Sequence, residues 1–330
     1  MAWLPTRTAA GWMSIGLHDQ RVDLAHVRAN VFGRPEIAWL ASYERDATLE
    51  HTLARLSRTC KLKRHRCATL LAEGEYQILQ MEAPAVPDEE AREAVRWQAK
   101  DLLDYPVQSA TFDVLPIPQP ATAVQRAKQV FAVAARNELI GARMDQFAQA
   151  KIPLEVIDIP ETAQRNIAAL YEEQNRGLAL LVFNEKGGVL TFTWQGELYA
   201  CRHIDITLTQ LQQAGAAGSQ EEQTQYIERI SLELQRSLDN FDRQFSFITV
   251  AKLMVLPVPG FPDFVGFLGA NLYVPVAPLD LSTAIDGSAI TGWEDPALQA
   301  QYFHVVGMAL RDDYATSNPA KATTEVEHHT

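Results

Sequence analysis

The sequence contains the same order of predicted elements twice, and this repetition limits the fold more than any other feature. Each copy has three short apolar or alternating runs, separated by tight turns, as is typical of consecutive antiparallel strands. The strands are predicted at 12–17, 22–27 and 36–42 in the first copy and at 178–183, 189–194 and 197–203 in the second. Helices are expected after these triplets, at 47–59 and at 227–245. The repetition predicts a duplicated, two-lobed α/β protein.

A further unit is predicted to interrupt the first copy between residues 74 and 152. Asp88 is a predicted helix N-cap, with Glu89 and Glu90 in the first turn, where the helix dipole favours negative charge. The apolar stripe of this helix consists of Ala91, Val95, Ala99 and Leu102. The elements that follow are strands at 110–117 and 129–135 and a helix at 137–150. The order β-α-β-β-α predicts a compact α+β subdomain.

These elements divide the chain into five segments. They are a first lobe at 1–73, an inserted subdomain at 74–152, a return to the first lobe at 153–176, a second lobe at 177–311 and a tail at 312–330. The tail is polar and aperiodic, which predicts disorder. The other expected elements are a strand at 154–159, a helix at 161–173, a Gly/Ala/Gln-rich loop at 213–220, a strand at 253–256 and a helix at 302–311.

Composition and charge limit the classes of function. The 330-residue chain is 47% hydrophobic and 21% charged, which excludes a mainly disordered protein. A formal net charge of −12 opposes binding of nucleic acid or of an anionic membrane by the molecule as a whole, although a local basic patch can still bind either. Three cysteines are too few for a disulfide framework and suit a reducing compartment. No membrane span or secretory signal is evident, so a soluble cytoplasmic protein is expected.

Six short motifs occur in a fixed order across almost the whole chain. They are PDEE at 87–90, VRWQA at 95–99, FAVAAR at 131–136, VIDIP at 156–160, ELQRSL at 233–238 and VGMALR at 306–311. In these motifs the sequence resembles the PilM family of type IV pilus assembly proteins, and especially its MSHA pilus biogenesis (MshI-like) branch. The resemblance implies an actin-like two-lobed fold in which a small α+β subdomain replaces part of the first lobe, as in the division protein FtsA.

The segments that bind nucleotide in actin-like ATPases depart from the pattern that the resemblance implies. Phosphate is bound there by hairpins whose small residues let backbone N–H groups approach it. The corresponding residues here are Gly16, where the family's Asp falls, with His18 and Asp19 in the first hairpin, and Phe183, Asn184 and Glu185 in the second. The adenosine loop has become PVPG at 257–260, and Asp158 matches an acidic position near the catalytic metal. The departures predict a degenerate site without catalytic residues, cofactor or ATPase activity.

Trp97 lies on the polar face of its predicted helix, about 200° from Val95. An aromatic residue in such a position often anchors a partner peptide, and packing within the subdomain is an equally weighted alternative. The resemblance implies a groove between the first lobe and the inserted subdomain that binds the cytoplasmic N-terminal segment of a PilN-like inner-membrane protein. The partner-binding residues implied are Trp97, Leu102, Leu103, Tyr105 and Phe112.

Two smaller clusters of residues can each be explained without a functional role. The run KLKRHR at 61–66 is the one basic cluster of an acidic chain, and it indicates either contact with anionic lipid headgroups or a solvated loop. Cys60, His65 and Cys67 have no second Cys or His pair nearby in sequence, so no metal site is expected.

Two classes of function remain open at this point. The first is a scaffold or adaptor of MSHA-type pilus assembly, cytoplasmic and held at the inner membrane through its PilN-like partner, with other pilus components as further candidate partners. The second is a nucleotide-binding actin-like ATPase, and the cytoplasmic domain of a GspL-like type II secretion protein is a related alternative. The sequence contains no nucleophile elbow, no zinc-protease motif and no P-loop.

Overall fold

The structure is a computed structural model that describes residues 9–120, 127–217 and 220–311. The predicted tail at 312–330 lies outside the described residues. The elements of the first half are β1 (Trp12–Leu17), β2 (Arg21–Ala29), β3 (Pro35–Glu44), α1 (Leu49–Thr59), β4 (Arg66–Leu70), β5 (Tyr76–Glu82), α2 (Asp88–Gln98), β6 (Ala110–Ile117), β7 (Gln129–Arg136), α3 (Asn137–Gln149), β8 (Leu154–Asp158) and α4 (Pro160–Ala168). Those of the second half are β9 (Gly177–Phe183), β10 (Gly188–Trp194), β11 (Glu197–Ile204), α5 (Leu208–Ala217), α6 (Gln220–Gln244), β12 (Val250–Val255), α7 (Phe264–Asn271), β13 (Val276–Pro278) and α8 (Pro296–Ala309).

Two five-stranded sheets have the same topology. Their strand orders are β3-β2-β1-β4-β8 and β11-β10-β9-β12-β13. In each sheet the first three strands form antiparallel hairpins. The central strand then pairs in parallel with the fourth strand, and the fourth pairs in parallel with the fifth. The predicted duplication is therefore visible strand by strand in the backbone.

The two sheets share one continuous core in which α4 and α8 lie. All residues of β9 are buried, which fits its uniformly apolar sequence and the helices that cover a central strand. On α4, Gln164 is fully buried and its amide nitrogen donates to Leu180 O at 2.7 Å and to Val189 O at 3.0 Å. Gly307 of α8 lies against Ala163 of α4, where a Cβ atom on the glycine would overlap the Ala163 carbonyl oxygen. This close helix crossing fixes one lobe relative to the other.

The inserted segment builds a third, antiparallel sheet of order β5-β7-β6, against which α2 packs. Its core consists of Val95, Ala99, Val107, Ala110, Phe112, Val130, Ala132 and Ala134. The second helix of the segment, α3, packs on the first lobe instead, because Phe147 is buried with Leu53 and Leu56 of α1. The insertion is thus attached to the first lobe through α3.

Two predicted elements differ clearly from the structure. The loop expected at 213–220 is mostly the end of helix α5 up to Ala217, whose Leu211 and Ala214 are buried in the second lobe. Gly215 is a glycine because a Cβ atom there would overlap Gly260 O. In the sequence, a glycine required by such a tertiary contact cannot be told from a glycine in a loop. The helix expected at 161–173 ends at Ala168, since turns follow it. Elements α7 and β13 were not predicted.

Candidate functional site

A cleft of about 480 Å³ opens between the lobes, at the carboxyl ends of β1 and β9. It is also lined by the segment after β4 and by α8. All six residues of the predicted degenerate phosphate loops lie on its lining, namely Gly16, His18, Asp19, Phe183, Asn184 and Glu185. The structure therefore brings the two loops together, one from each lobe.

Gly16 has no room for a side chain. A Cβ atom at this position would lie 2.6 Å from Val305 Cγ1 of α8. The carboxylate that the resemblance expects near this position therefore does not fit while α8 is packed as it is. The same close approach explains why the residue is glycine.

The polar side chains of the first hairpin are bound to a buried carboxylate of their own lobe. Asp23 is fully buried, and its Oδ2 accepts from Arg21 Nε at 2.9 Å and lies 3.2 Å from His18 Nε2. Burial raises the pKa of Asp23, but hydrogen bonds from His18, Ser42 and Arg21 outweigh it and hold this pKa below its usual value. His18 and Arg21 are thus engaged within the hairpin.

In the second hairpin a side chain occupies the backbone donors of the turn. Asn184 Oδ1 accepts from the N–H groups of Lys186 at 2.7 Å and Gly187 at 3.1 Å. Donors of this kind bind phosphate in hairpin sites, and here the asparagine amide already satisfies them. Phe183 is buried and packs edge-on against Phe264, with ring centroids 5.7 Å apart. The second hairpin presents no free N–H nest at these two positions.

Two polar contacts connect the lobes across the cleft. Asn184 Nδ2 donates to Glu73 Oε1 at 2.6 Å, and Arg21 Nη1 lies 3.8 Å from Glu185 Oε1. Glu73 and Arg21 were not predicted as cleft residues. No local signal reveals them, because each partner lies more than a hundred residues away in the chain.

Asp158 is not among the residues that line the cleft. Its Oδ1 accepts from Ile159 N at 2.9 Å and from the Thr162 hydroxyl, so the side chain is held beside the start of α4. Its Oδ2 forms an ion pair with Arg311. The charge of Asp158 is therefore already balanced by the protein itself.

His304, on α8, lies on the cleft lining and was not predicted as a site residue. Its Nε2 is buried and has no hydrogen-bond partner among the described residues. Burial, with a smaller contribution from His18, lowers the pKa of His304 to about 4. The imidazole is therefore neutral in the folded protein at neutral pH.

His304 predicts a loss of stability in acid. The unfolded chain takes up a proton at this residue near pH 6.5, whereas the folded protein resists it, so stability falls as the pH drops from 6.5 towards 4. At about pH 5 the replacement His304→Gln is expected to remove roughly 1–2 kcal/mol of this loss. The measurement is the free energy of unfolding in urea at about pH 7 and pH 5 for both proteins. If the free energy of unfolding fell by the same amount between pH 7 and pH 5 in both proteins, the role assigned to His304 would be wrong.

The predicted partner-binding residues separate into two groups. Trp97 is 54% exposed and Leu102 is 55% exposed, both near the end of α2, whereas Leu103 and Tyr105 are half-buried against the subdomain core. Phe112 is buried in that core, so its side chain offers little surface for partner contact. Alternating residues of β6 face opposite sides of the sheet, and Phe112 lies on the inner side.

The expected apolar stripe of α2 also ends earlier than predicted. Val95 and Ala99 are buried, but Leu102 is not. The α-helix stops at Gln98 and continues as a tighter 3₁₀ turn, which changes the residue spacing. Leu103 packs against the core in its place.

The Cys/His cluster is dispersed. Cys60 Sγ donates to Tyr43 Oη at 3.5 Å, His65 packs edge-on against His26, and burial raises the pKa of the Cys67 thiol to about 12. Within residues 9–120, 127–217 and 220–311, no group of three or more His, Cys, Asp or Glu side chains is arranged to hold a metal ion. No helix in the same ranges is long and apolar enough to cross a bilayer.

Comparisons with known proteins connect this geometry to other structures. No family model matches the sequence. A search of curated proteins gave no significant match either. Among solved structures, the chain is similar to one from a PilM–PilN type IV pilus biogenesis complex, with a TM-score of 0.71 and 19% identity over 92% of this chain and 98% of that one.

More distant structural similarities have lower scores. The cytoplasmic domain of EpsL, an inner-membrane component of the type II secretion system of Vibrio cholerae, gives a TM-score of 0.46 at 11% identity over 76% of this chain and 84% of that one. A Bacteroides thetaiotaomicron protein described as having an actin-like ATPase fold gives 0.47 at 8% identity, over 84% and 92% of the two chains. The predicted fold class is confirmed: the chain has an actin-like two-lobed fold with an inserted α+β subdomain.

Proposed function

We propose that this protein is a scaffold of an MSHA-type type IV pilus machine, which binds the cytoplasmic N-terminal segment of a PilN-like inner-membrane protein. The observation that carries the proposal is the exposed apolar pair Trp97 and Leu102 on the inserted subdomain. The structural similarity to a chain of a PilM–PilN complex supports the choice of partner. Such binding holds the protein at the cytoplasmic face of the inner membrane.

The surface around Trp97 suits an extended apolar peptide. The adjacent strand β6 pairs only with β7 among the described strands. On its other edge Arg96 donates to Ala110 O at 2.9 Å and Asp113 accepts from Val114 N at 3.0 Å, so a further strand would replace these two side-chain contacts. Tyr105 is half-buried on the same subdomain, and the Arg136 guanidinium lies 4.1 Å from its ring centroid. Backbone pairing at the edge, with apolar contacts to Trp97 and Leu102, is a recognised mode of peptide binding.

The proposed scaffold does not hydrolyse nucleotide. The packing of Val305 on Gly16 opposes an acidic side chain there, and Asn184 occupies two backbone donors of the second hairpin. Glu185 adds a negative charge to the cleft lining, which disfavours phosphate. These features support a cleft that serves to join the lobes.

The cleft is accordingly expected to bind Mg-ATP only weakly. The loss of two or three charge-assisted hydrogen bonds, at roughly 1.5–3 kcal/mol each, converts a micromolar site into a millimolar one or worse. A thermal-shift assay with millimolar Mg-ATP should show no stabilisation, and phosphate release should stay at background. A micromolar dissociation constant by calorimetry would refute this part of the proposal and leave the pilus role standing.

The test of the pilus role is a calorimetric titration of the full chain with a peptide. The peptide is the N-terminal cytoplasmic segment of the PilN-like protein from the same genome, and a scrambled peptide of equal composition is the control. Saturable binding by the native peptide alone is the expected result. If a correctly folded protein binds neither peptide, the proposed function is wrong.

A further inference from the structure

The end of the first sheet that points away from the cleft is a separate surface. It is formed by residues 28–36, 58–66 and 151–155, which we call the basic end. Strand register places these segments together, because Trp12 pairs with both Val27 and Arg66, and Cys67 pairs with Leu154. Ala9 N also donates to Arg64 O at 2.8 Å, which fixes the basic run beside the start of the first strand.

The basic end is strongly cationic in an otherwise acidic chain. Its positive side chains are Arg28, Arg34, Arg58, Lys61, Lys63, Arg64, Arg66 and Lys151. The two acidic residues of these segments are paired, Glu36 with Arg28 and Glu155 with Arg66, both at 3.0 Å. Asp286, from a neighbouring segment of the second lobe, interacts with Arg34. Lys61, Lys63 and Arg64 are exposed and form no ion pair with any residue that the structure describes. The net charge of −12 for the whole chain makes this concentration of positive charge distinctive.

Two large apolar side chains project from the same end. Val31 is 94% exposed and Phe32 is 86% exposed, at the tip of the β2–β3 hairpin. The turn that holds them is well ordered by hydrogen bonds: Asn30 Oδ1 accepts from Phe32 N at 2.9 Å and from Arg34 N at 3.0 Å. Apolar side chains this exposed contribute nothing to the core, and a fixed turn presents them at a low entropic cost.

We propose that the basic end docks directly on an anionic lipid surface. Exposed cations beside an apolar tip suit the membrane interface, where phosphate headgroups attract the cations and Phe32 and Val31 enter the boundary of the acyl chains. Charge complementarity also orients the molecule, because the rest of the acidic chain is repelled by the same surface. Lipid contact goes beyond the proposed function, in which the partner alone brings the protein to the membrane.

The proposal is tested by co-sedimentation of the full chain with vesicles. Phosphatidylcholine vesicles are compared with vesicles that contain about 30% phosphatidylglycerol, at low and high salt. The protein should bind only the anionic vesicles, and binding should weaken as salt rises. The double replacement Lys63→Glu with Arg64→Glu should lower the partition coefficient at least about tenfold. Phe32→Ser should lower it by a smaller factor, about threefold to tenfold.

Matched variants on the exposed face of α6 provide the control. Arg236→Glu with Arg243→Glu changes the net charge by the same amount, and Leu232→Ser removes an exposed apolar side chain elsewhere. These variants should bind anionic vesicles nearly as well as the native protein. The proposal is overturned if the folded native protein does not sediment with anionic vesicles at low salt, or if the α6 variants lose as much binding. Self-association through Phe32 without vesicle binding would likewise assign the surface to a second copy and refute the lipid proposal.

Discussion

Replacing Gly307 with alanine is expected to lower the free energy of unfolding by about 2 kcal/mol or more. The added methyl group would overlap the Ala163 carbonyl oxygen and lie 3.0 Å from Ile167 Cδ1. Backbone cannot move aside as a flexible side chain can, so the crossing of α4 and α8 must widen. Since both helices lie in the core that the two lobes share, the change should destabilise the whole fold. Urea denaturation followed by circular dichroism measures it.

Gly141→Ala is the matched control for this variant. Gly141 also lies in a helix, α3, but a Cβ atom there would meet nothing within 4 Å. Alanine has the higher helix propensity, so this replacement should stabilise the protein by roughly 0.5–1 kcal/mol. If Gly307→Ala were as stable as the native protein, α4 and α8 could not cross as closely as described.

Trp97→Ser is expected to weaken binding of the PilN-like peptide by about 30-fold to 100-fold, which corresponds to 2–3 kcal/mol for an aromatic anchor at the centre of an interface. Its thermal midpoint should stay within a few degrees of the native value, because a half-exposed side chain contributes little to folding. Calorimetric titration and thermal denaturation of the same preparations separate the two effects.

Tyr273→Ser supplies the control, since Tyr273 is an exposed aromatic residue of the second lobe. It should bind the peptide with native affinity. Phe112→Ala should instead destabilise the subdomain by about 3–5 kcal/mol, as large-to-small core changes do. Native affinity in Trp97→Ser would show that the peptide binds elsewhere.

The duplicated architecture was predictable because its signals are local. Each hairpin combines apolar alternation with a tight turn, and strand β1 at Trp12–Leu17 and strand β6 at Ala110–Ile117 were predicted with their correct bounds. Helix α5 was missed because Gly215 reads as a loop residue in sequence, whereas the structure uses it to approach Gly260. The glycine is required by a contact between distant segments, and such a contact leaves no periodic signal in the sequence.

The candidate site was predictable only in part, for the same physical reason. Hairpin positions identify the residues that approach the cleft, but the contacts of Asn184 with Glu73 and of Arg21 with Glu185 depend on how the lobes pack. The burial of Phe112 was likewise not predictable, because an aromatic residue in an alternating strand can face either side of the sheet. Its neighbours in the fold decide which.

Hydrogen exchange of the full chain with and without the PilN-like peptide shows where the peptide binds. It reports which backbone amides become protected, and thus separates the inserted subdomain from the cleft in one measurement. If the peptide binds the inserted subdomain, amide exchange should slow at residues 97–105 and along β6. The exchange rates of the cleft hairpins at 16–21 and 183–188 should stay unchanged. Protection confined to the cleft hairpins, or none on the subdomain at saturating peptide, would contradict binding at the subdomain.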